Sequence, residues 1–194
     1  MKRSTAVLST IAAGALVLST ATISAAAMHG ASASNQLSAS GAKGHRVALS
    51  LTPSTPALAT CFPQARARVT VDLTTSSRGK DTFTVAASGL KPRTDFTVFL
   101  LEKAGSPFGA AEYIGDFTTD RHGKATNSFS LIVEEAFAFN NVTHSRTDLN
   151  AVGVWFADPK DDDSCLGAGS PVTGFDGDGE AGVQMLNSGT ALLP

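Results

Sequence analysis

The 194-residue chain carries little charge and almost no cysteine. Charged side chains make up 16% of the residues, whereas soluble globular proteins average about a quarter. The formal net charge is −2, and lysine and arginine form no cluster with interleaved aromatic residues, so we expect no nucleic-acid partner. The two cysteines form no C-x-x-C pair and do not indicate a zinc site.

Recognisable catalytic motifs are also missing. The chain has neither the G-x-S-x-G turn of α/β-hydrolases nor the H-E-x-x-H helix of zinc proteases. Glu102 and Glu112 flank one loop and could form a pair of glycosidase carboxylates, but exposed charges at strand ends are the commoner explanation. The histidines lie in segments expected to be linker, turn or polar loop, at His29, His45, His122 and His144. We therefore assign no catalytic residue and no cofactor, with a secreted enzyme of unrecognised site as the alternative.

The N-terminus carries the features of an export signal. Lys2 and Arg3 precede an uncharged stretch with a short apolar centre, and small residues follow at 24–27. This pattern is typical of a secretory signal peptide, because the apolar centre is shorter than the roughly 20 residues of a membrane-spanning helix. We predict a signal peptide at 1–27, a flexible Ala/Ser/Gly linker at 28–45, one domain at 46–188 and a C-terminal tail at 189–194. No lipoprotein cysteine or sorting signal is present, so the mature chain is expected to be secreted, extracellular and without a membrane span.

The cysteine pair agrees with that compartment. An even number of cysteines in an exported chain favours a disulfide over two free thiols, so we predict a bond between Cys61 and Cys165. The chain-entropy model gives a bridge across such a long separation a contribution of up to ~4–5 kcal/mol.

Beyond the linker, apolar and polar residues alternate with a period of two. This alternation is rich in Val, Phe and Thr and predicts strands with one buried face. Eight strands are predicted, around 47–51, 69–73, 83–85, 96–101, 113–117, 129–133, 152–156 and 182–186. The segment from Glu134 to Asn141 is expected to be a helical turn or a crossover loop. With no other helical stretch, the pattern predicts an all-β, Ig-like antiparallel sandwich of about seven or eight strands.

Two short stretches resemble known β-sandwich domains. Gly89-Leu90-Lys91-Pro92 followed by Phe96 resembles the corner between strands E and F of fibronectin type III domains. The resemblance implies that Phe96 is the buried anchor of a turn, although phenylalanine lacks the hydroxyl of the usual tyrosine. Asp120 to Gly123 resembles a hairpin of bacterial Ig-like domains, in which Asp starts the turn and Gly supplies the positive φ.

Longer stretches, 95–120 and 173–187, resemble a family of small exported β-sandwich proteins from high-GC Gram-positive bacteria. That resemblance implies secretion and a β-sandwich fold. It implies no catalytic residue.

Acidic residues concentrate in two loops of the C-terminal third. Carboxylates spaced along a Gly-rich loop can converge on Ca²⁺, which takes six to eight oxygen ligands. The candidate ligands are Asp161, Asp162, Asp163, Asp176, Asp178 and Glu180. The EF-hand pattern starting at Asp176 fails, since Ala181 and Asn187 stand where Gly and Glu are needed. Solvated turns are the commoner explanation, and a calcium-stabilised extracellular structural protein is a further alternative.

Phenylalanines in loops suggest a partner surface. Phe108, Phe137 and Phe139 lie in segments expected to run over the surface, where exposed apolar side chains mark contact sites. They could equally cap the ends of the sandwich. Together these observations predict a secreted, non-catalytic, monomeric binding or structural module with an extracellular ligand or protein partner.

Overall fold

The structure, a computed structural model, describes residues 45–133, 135–176 and 179–193, apart from the side chains of residues 175 and 176. The predicted signal peptide and the predicted linker up to residue 44 therefore lie outside the described residues. Within the described ranges, no helix is both long enough and apolar enough to cross a membrane.

The described residues form twelve strands and four short helices. The strands are β1 His45–Pro53, β2 Arg66–Leu73, β3 Asp81–Ser88, β4 Asp95–Leu101, β5 Ala111–Thr118, β6 Ala125–Leu131, β7 Phe137–Asn140, β8 Ser145–Asp148, β9 Ala151–Phe156, β10 Thr173–Asp176, β11 Gly179–Ala181 and β12 Gln184–Asn187. The helices are α1 Pro56–Cys61, α2 Thr75–Arg78, a 3-10 helix Pro159–Asp161 and α3 Asp163–Leu166.

Eight strands form the main sheet, in the order β5-β4-β9-β12-β1-β2-β3-β6. Every neighbouring pair in it is antiparallel. Each of the eight predicted strands overlaps one strand of this sheet. The prediction of an all-β antiparallel sandwich is confirmed.

Strand β1 belongs to both halves of the sheet. Its residues 45–51 pair with β2, whereas Thr52 and Pro53 pair with β12 through Asn187 and Leu186. We call β1, β2, β3 and β6 the β2 half-sheet, and β5, β4, β9 and β12 the β9 half-sheet. The strand that runs from one half into the other places their apolar faces on a common core.

The main core lies between the two half-sheets. Val71 and Phe83 come from the β2 half-sheet, and Val98, Val154 and Leu186 come from the β9 half-sheet. In β2 and β3 the buried residues alternate with more exposed ones, as a strand with one dry face requires.

Phe96 anchors the corner that leads into β4. Its ring is fully buried and lies 5.5 Å from the ring of Phe117 and 5.0 Å from that of Phe156, measured between centroids. The position expected from the fibronectin-like corner is therefore a core position.

A threonine on the neighbouring segment supplies the hydroxyl that Phe96 lacks. Thr119 is buried, and its Oγ1 donates to the carbonyl of Lys91 at 2.6 Å while accepting the N–H of Thr94 at 3.0 Å. These bonds satisfy two backbone groups of the corner that burial would otherwise leave unpaired.

The predicted hairpin turn joins β5 to β6 and docks on this corner. The Asp120 carboxylate accepts the N–H groups of His122 and Lys124, and Gly123 has a φ of +69°. A Cβ at Gly123 would lie 2.1 Å from the carbonyl oxygen of Leu90, so glycine is required here both by the backbone angle and by the close approach.

The predicted disulfide is present. Cys61, at the end of α1, is bonded to Cys165 in α3, with 5.8 Å between their Cα atoms and a sequence separation of 104. The bond ties the segment after β1 to the segment after β9, two regions that no strand pairing joins directly.

One sequence prediction needs correction. The segment predicted as a helical turn or a crossover loop contains β7, which forms a two-stranded hairpin with β8; Glu134 itself is outside the described residues. The alternating-pattern signal was weak there because the strands are only four residues long. Leu193, in the predicted C-terminal tail, is buried and packs in the main core.

A buried carboxylate fastens the end of the β2 half-sheet where β3 begins. Asp81 is fully buried and accepts the N–H groups of Thr74, Thr75 and Val133 at 2.7–2.9 Å. Burial raises the pKa of Asp81, but the hydrogen bonds to the carboxylate outweigh that effect and bring the pKa below its ordinary value.

We predict that Phe96→Ala lowers the free energy of unfolding by about 3–5 kcal/mol, because it leaves a cavity in the core. Urea denaturation of both proteins would measure the change. Phe139→Ala is the matched control, because Phe139 is 50% exposed. If both variants lost the same amount, Phe96 would not be a core anchor.

We predict that Asp81→Asn destabilises the fold by about 2–4 kcal/mol near neutral pH, because an amide nitrogen then faces backbone donors. A carboxyl with a lowered folded-state pKa stabilises the protein above its unfolded pKa, and that stability disappears as pH falls through the folded pKa. The difference between wild type and variant should therefore shrink below about pH 4.

Denaturation midpoints across acidic pH would test this, with Glu112→Gln, an exposed position on β5, as the control. A difference between wild type and Asp81→Asn that stayed constant down to about pH 2 would contradict the role of the Asp81 charge.

Candidate functional site

Strands β4 and β9 bury side chains on both of their faces. Phe96, Val98 and Leu100 point into the main core, and Phe99 and Leu101 point the other way. The residues on the far side form a second buried cluster, which we call the outer core: Phe99, Leu101, Ala151, Trp155 and Ala181. An outer face this apolar needs a cover, because contact of these side chains with water is unfavourable.

The loop between β4 and β5 provides part of the cover. Its two ends are joined by a bond from the N–H of Glu102 to the carbonyl of Ala110, and by one from the N–H of Ala110 back to the Glu102 carboxylate. The ring of Phe108 meets Trp155 edge to face, with centroids 5.0 Å apart. The loop therefore folds back over the β9 half-sheet and adds an aromatic ring to the outer core.

The segment between α3 and β12 provides the rest of the cover. It contains the hairpin of β10 and β11, and Thr173 donates across it to the carbonyl of Gly182 at 3.0 Å. The buried carboxylate of Asp162 accepts the N–H of Val183 at 2.9 Å and the hydroxyl of Ser170. Asp162 thereby fixes both ends of this segment against the 3-10 helix.

A cleft of about 590 Å³ opens between the two covering segments. We call it the outer cleft. It is lined by Ser54, Thr55, Gly105, Ser106, Phe108, Trp155, Pro171, Val172, Thr173, Gly174, Val183, Gln184 and Asn187. Among the described residues, none that lines the cleft carries a charge. Its volume lies within the range of small-molecule sites, about 300–1,000 Å³.

Two side-chain amides are held in fixed orientations in the cleft. Gln184 donates through Nε2 to the carbonyl of Ala104 at 2.9 Å, and its Oε1 accepts from Nδ2 of Asn187 at 3.2 Å. The Oδ1 of Asn187 accepts the N–H of Gly189. The amide nitrogens of Gln184 and Asn187 each carry two N–H groups. The two bonds donated by these nitrogens use one N–H group of each. The polar side of the cleft is therefore ordered before any ligand enters.

The predicted calcium ligands have separate structural roles where they are described. Asp161 forms an ion pair with Lys91 at 2.7 Å, and Asp162 accepts the N–H of Val183 in the covering segment. Asp163 is the first residue of α3, and Glu180 is exposed in β11. The side chain of Asp176 and the whole of Asp178 lie outside the description. Within the described ranges, no three or more His, Cys, Asp or Glu residues are grouped so as to hold a metal ion. The calcium site stays a prediction.

The three predicted surface phenylalanines are divided between two places. Phe108 packs on the outer core. Phe137 and Phe139 lie on the β7–β8 hairpin and are 45% and 50% exposed, and the guanidinium of Arg146 lies 4.2 Å from the centroid of the Phe137 ring. A partner surface on this hairpin stays a prediction.

Sequence reasoning missed the outer cleft, although part of its signal was present. The runs Phe96–Leu101 and Val152–Phe156 are almost continuously apolar apart from Thr97 and Gly153, and such runs are typical of strands buried on both faces. The polar wall has no comparable local signal, because Ser54 and Gln184 are 130 residues apart and meet through the pairing of β1 with β12.

Comparison with known proteins adds no relative from which a function could be transferred. No protein-family model matches the chain, and no curated protein matches it. The geometry of the site is therefore the basis for the function proposed below.

Proposed function

We propose that this protein is a secreted, non-catalytic binding module that holds an uncharged ligand in the outer cleft. The observation that carries this proposal is an ordered, uncharged cleft built on the apolar outer face of the β9 half-sheet. Its walls combine apolar side chains with fixed amides and hydroxyls, as small-molecule sites generally do.

The lining favours a neutral ligand. Burying a charge without a partner costs far more than burying a hydroxyl that finds a hydrogen bond, and the described lining residues offer no opposite charge. A neutral saccharide has apolar C–H faces for Phe108 and Val172. Its hydroxyls match the side chains of Ser54, Gln184 and Asn187, and we therefore assign neutral saccharides as the ligand class.

The same lining favours binding over acid–base chemistry. Hydrolysis of a glycosidic bond uses a pair of carboxyl groups beside the scissile bond, and general acid–base catalysis needs a group that titrates. Among the described residues, the outer cleft presents neither. The nearby Glu102 carboxylate is engaged with the backbone of its own loop.

Export is supported by the sequence and by the disulfide. Lys2, Arg3 and the short apolar stretch after them match a secretory signal peptide. Disulfides persist in oxidising compartments, and Cys61 and Cys165 are bonded here.

Titration of the mature protein with neutral oligosaccharides would test the proposal. Trp155 is the chain's one tryptophan. Its ring is buried at the cleft and packs against Phe108, with 5.0 Å between the ring centroids, so a ligand that contacts Phe108 is expected to change the fluorescence of Trp155. We expect at least one member of a panel of gluco-, manno- and N-acetylchito-oligosaccharides to bind and to change the Trp155 emission.

Val172→Asp should weaken that binding by about tenfold or more, because it places a charge on the wall of the cleft. Val142→Asp is the matched control, because Val142 is 88% exposed on the β7–β8 hairpin while Val172 is 49% exposed. If no neutral oligosaccharide bound, or if both variants bound like wild type, the assignment of the outer cleft would be wrong.

A further inference from the structure

A second concave surface lies on the outer face of the β2 half-sheet. It is a groove of about 370 Å³, which we call the arginine groove. Side chains from three strands border it, chiefly Ser50, Thr52, Arg66, Arg68, Ala86 and Ser88. This face is turned away from the main core, on the opposite side of the sandwich from the outer cleft.

Strand pairing explains why a flat sheet face is hollow at this point. Leu51 is the last residue of β1 that pairs with β2, and Thr52 already pairs with Asn187 of β12. The two strands therefore diverge beside Arg66. Small side chains surround the two arginines, since Arg68 faces Ser50 on one side and Ala86 on the other, and Arg66 faces Ser88. Short neighbours beside long guanidinium side chains leave a depression.

The arginine groove is positively charged. Arg66 and Arg68 are both exposed, and they point to the same face of β2 because they are two residues apart. Their Cα atoms are about 7 Å apart at the usual rise of a strand. Within the described part of the chain, the ion pairs engage four other cations: Arg46, Lys91, Lys103 and Arg146. The acidic residue on this face of β2, Asp72, is paired with Arg46.

We propose that the arginine groove binds linear polyphosphate, an extended chain of linked phosphate groups. A guanidinium donates two parallel hydrogen bonds to an oxyanion and keeps its charge at all physiological pH values. A planar carboxylate is satisfied by one such pair of parallel hydrogen bonds from a single guanidinium. A phosphate accepts bonds from several directions, which suits two arginines flanked by the hydroxyls of Ser50, Thr52 and Ser88. The guanidinium groups of Arg66 and Arg68 are spaced along one strand, and this spacing favours contact with neighbouring phosphates of an extended chain.

Isothermal titration of the mature, disulfide-bonded protein with linear polyphosphate would test this. Binding should be measurable at low salt and should weaken steadily as salt is added, because counterions compete for the same charges. The double variant Arg66→Gln, Arg68→Gln should lower the affinity by about tenfold or more. The control is Arg78→Gln, Lys80→Gln, which removes the same charge from exposed positions in the β2–β3 connection and should change the affinity less than about twofold.

Three results would overturn the proposal: equal losses in the two double variants, polyglutamate binding as tightly as polyphosphate, or inorganic phosphate binding as tightly as the polymer. Unchanged melting temperatures would confirm that both double variants are folded. Oligosaccharide binding at the outer cleft should be the same in wild type and in both double variants, so this proposal and the proposed function fail independently.

Discussion

The burial of β4 and β9 on both faces is the constraint from which the candidate site follows. A side chain such as Phe99 or Leu101 contributes about 1.5–3 kcal/mol when it leaves water, so the outer core is stable only under a cover. The β4–β5 loop and the segment before β12 form that cover. The outer cleft is the space between these two segments, and its floor is part of the central strands of the sandwich. Its polar groups are therefore placed by rigid elements, which favours recognition of a defined ligand.

Two buried carboxylates, at opposite ends of the sandwich, each hold a connecting segment by accepting hydrogen bonds from it. Asp81, where β3 begins, accepts three backbone N–H groups. Asp162, beyond the end of β9, accepts the backbone N–H of Val183 and the hydroxyl of Ser170. Buried backbone donors need partners, and a carboxylate can satisfy several of them at once. A single carboxylate thus holds the β2–β3 connection, and another holds the segment before β12, which borders the outer cleft.

The strands of the main sheet could be predicted because each carries its own period-two pattern, as in Val69, Val71 and Leu73. The position of Phe96 followed from a local corner pattern, and the disulfide followed from an even cysteine count. The outer cleft could not be predicted in the same way, since Gln184 and Ser54 meet only through the pairing of β1 with β12. Short hairpins such as β7–β8 were missed because four residues hold too little alternation to detect. In the acidic loops, neighbours in sequence have separate contacts: Asp161 forms an ion pair with Lys91, and Asp162 accepts the N–H of Val183. The sequence alone does not show this division, because both partners are distant in the chain.

The pairing of the first described strand with the last also limits when the domain can form. β12 lies between β9 and β1 in the sheet, so until Gln184–Asn187 are available the two half-sheets are not joined by strand pairing. Such distant contacts make folding slow, because a long loop must close before the pairing stabilises it. A chain that emerges from the ribosome from N-terminus to C-terminus therefore cannot complete this sheet until residues 184–187 have emerged. The β2 half-sheet can pair earlier, because all of its strands precede residue 132.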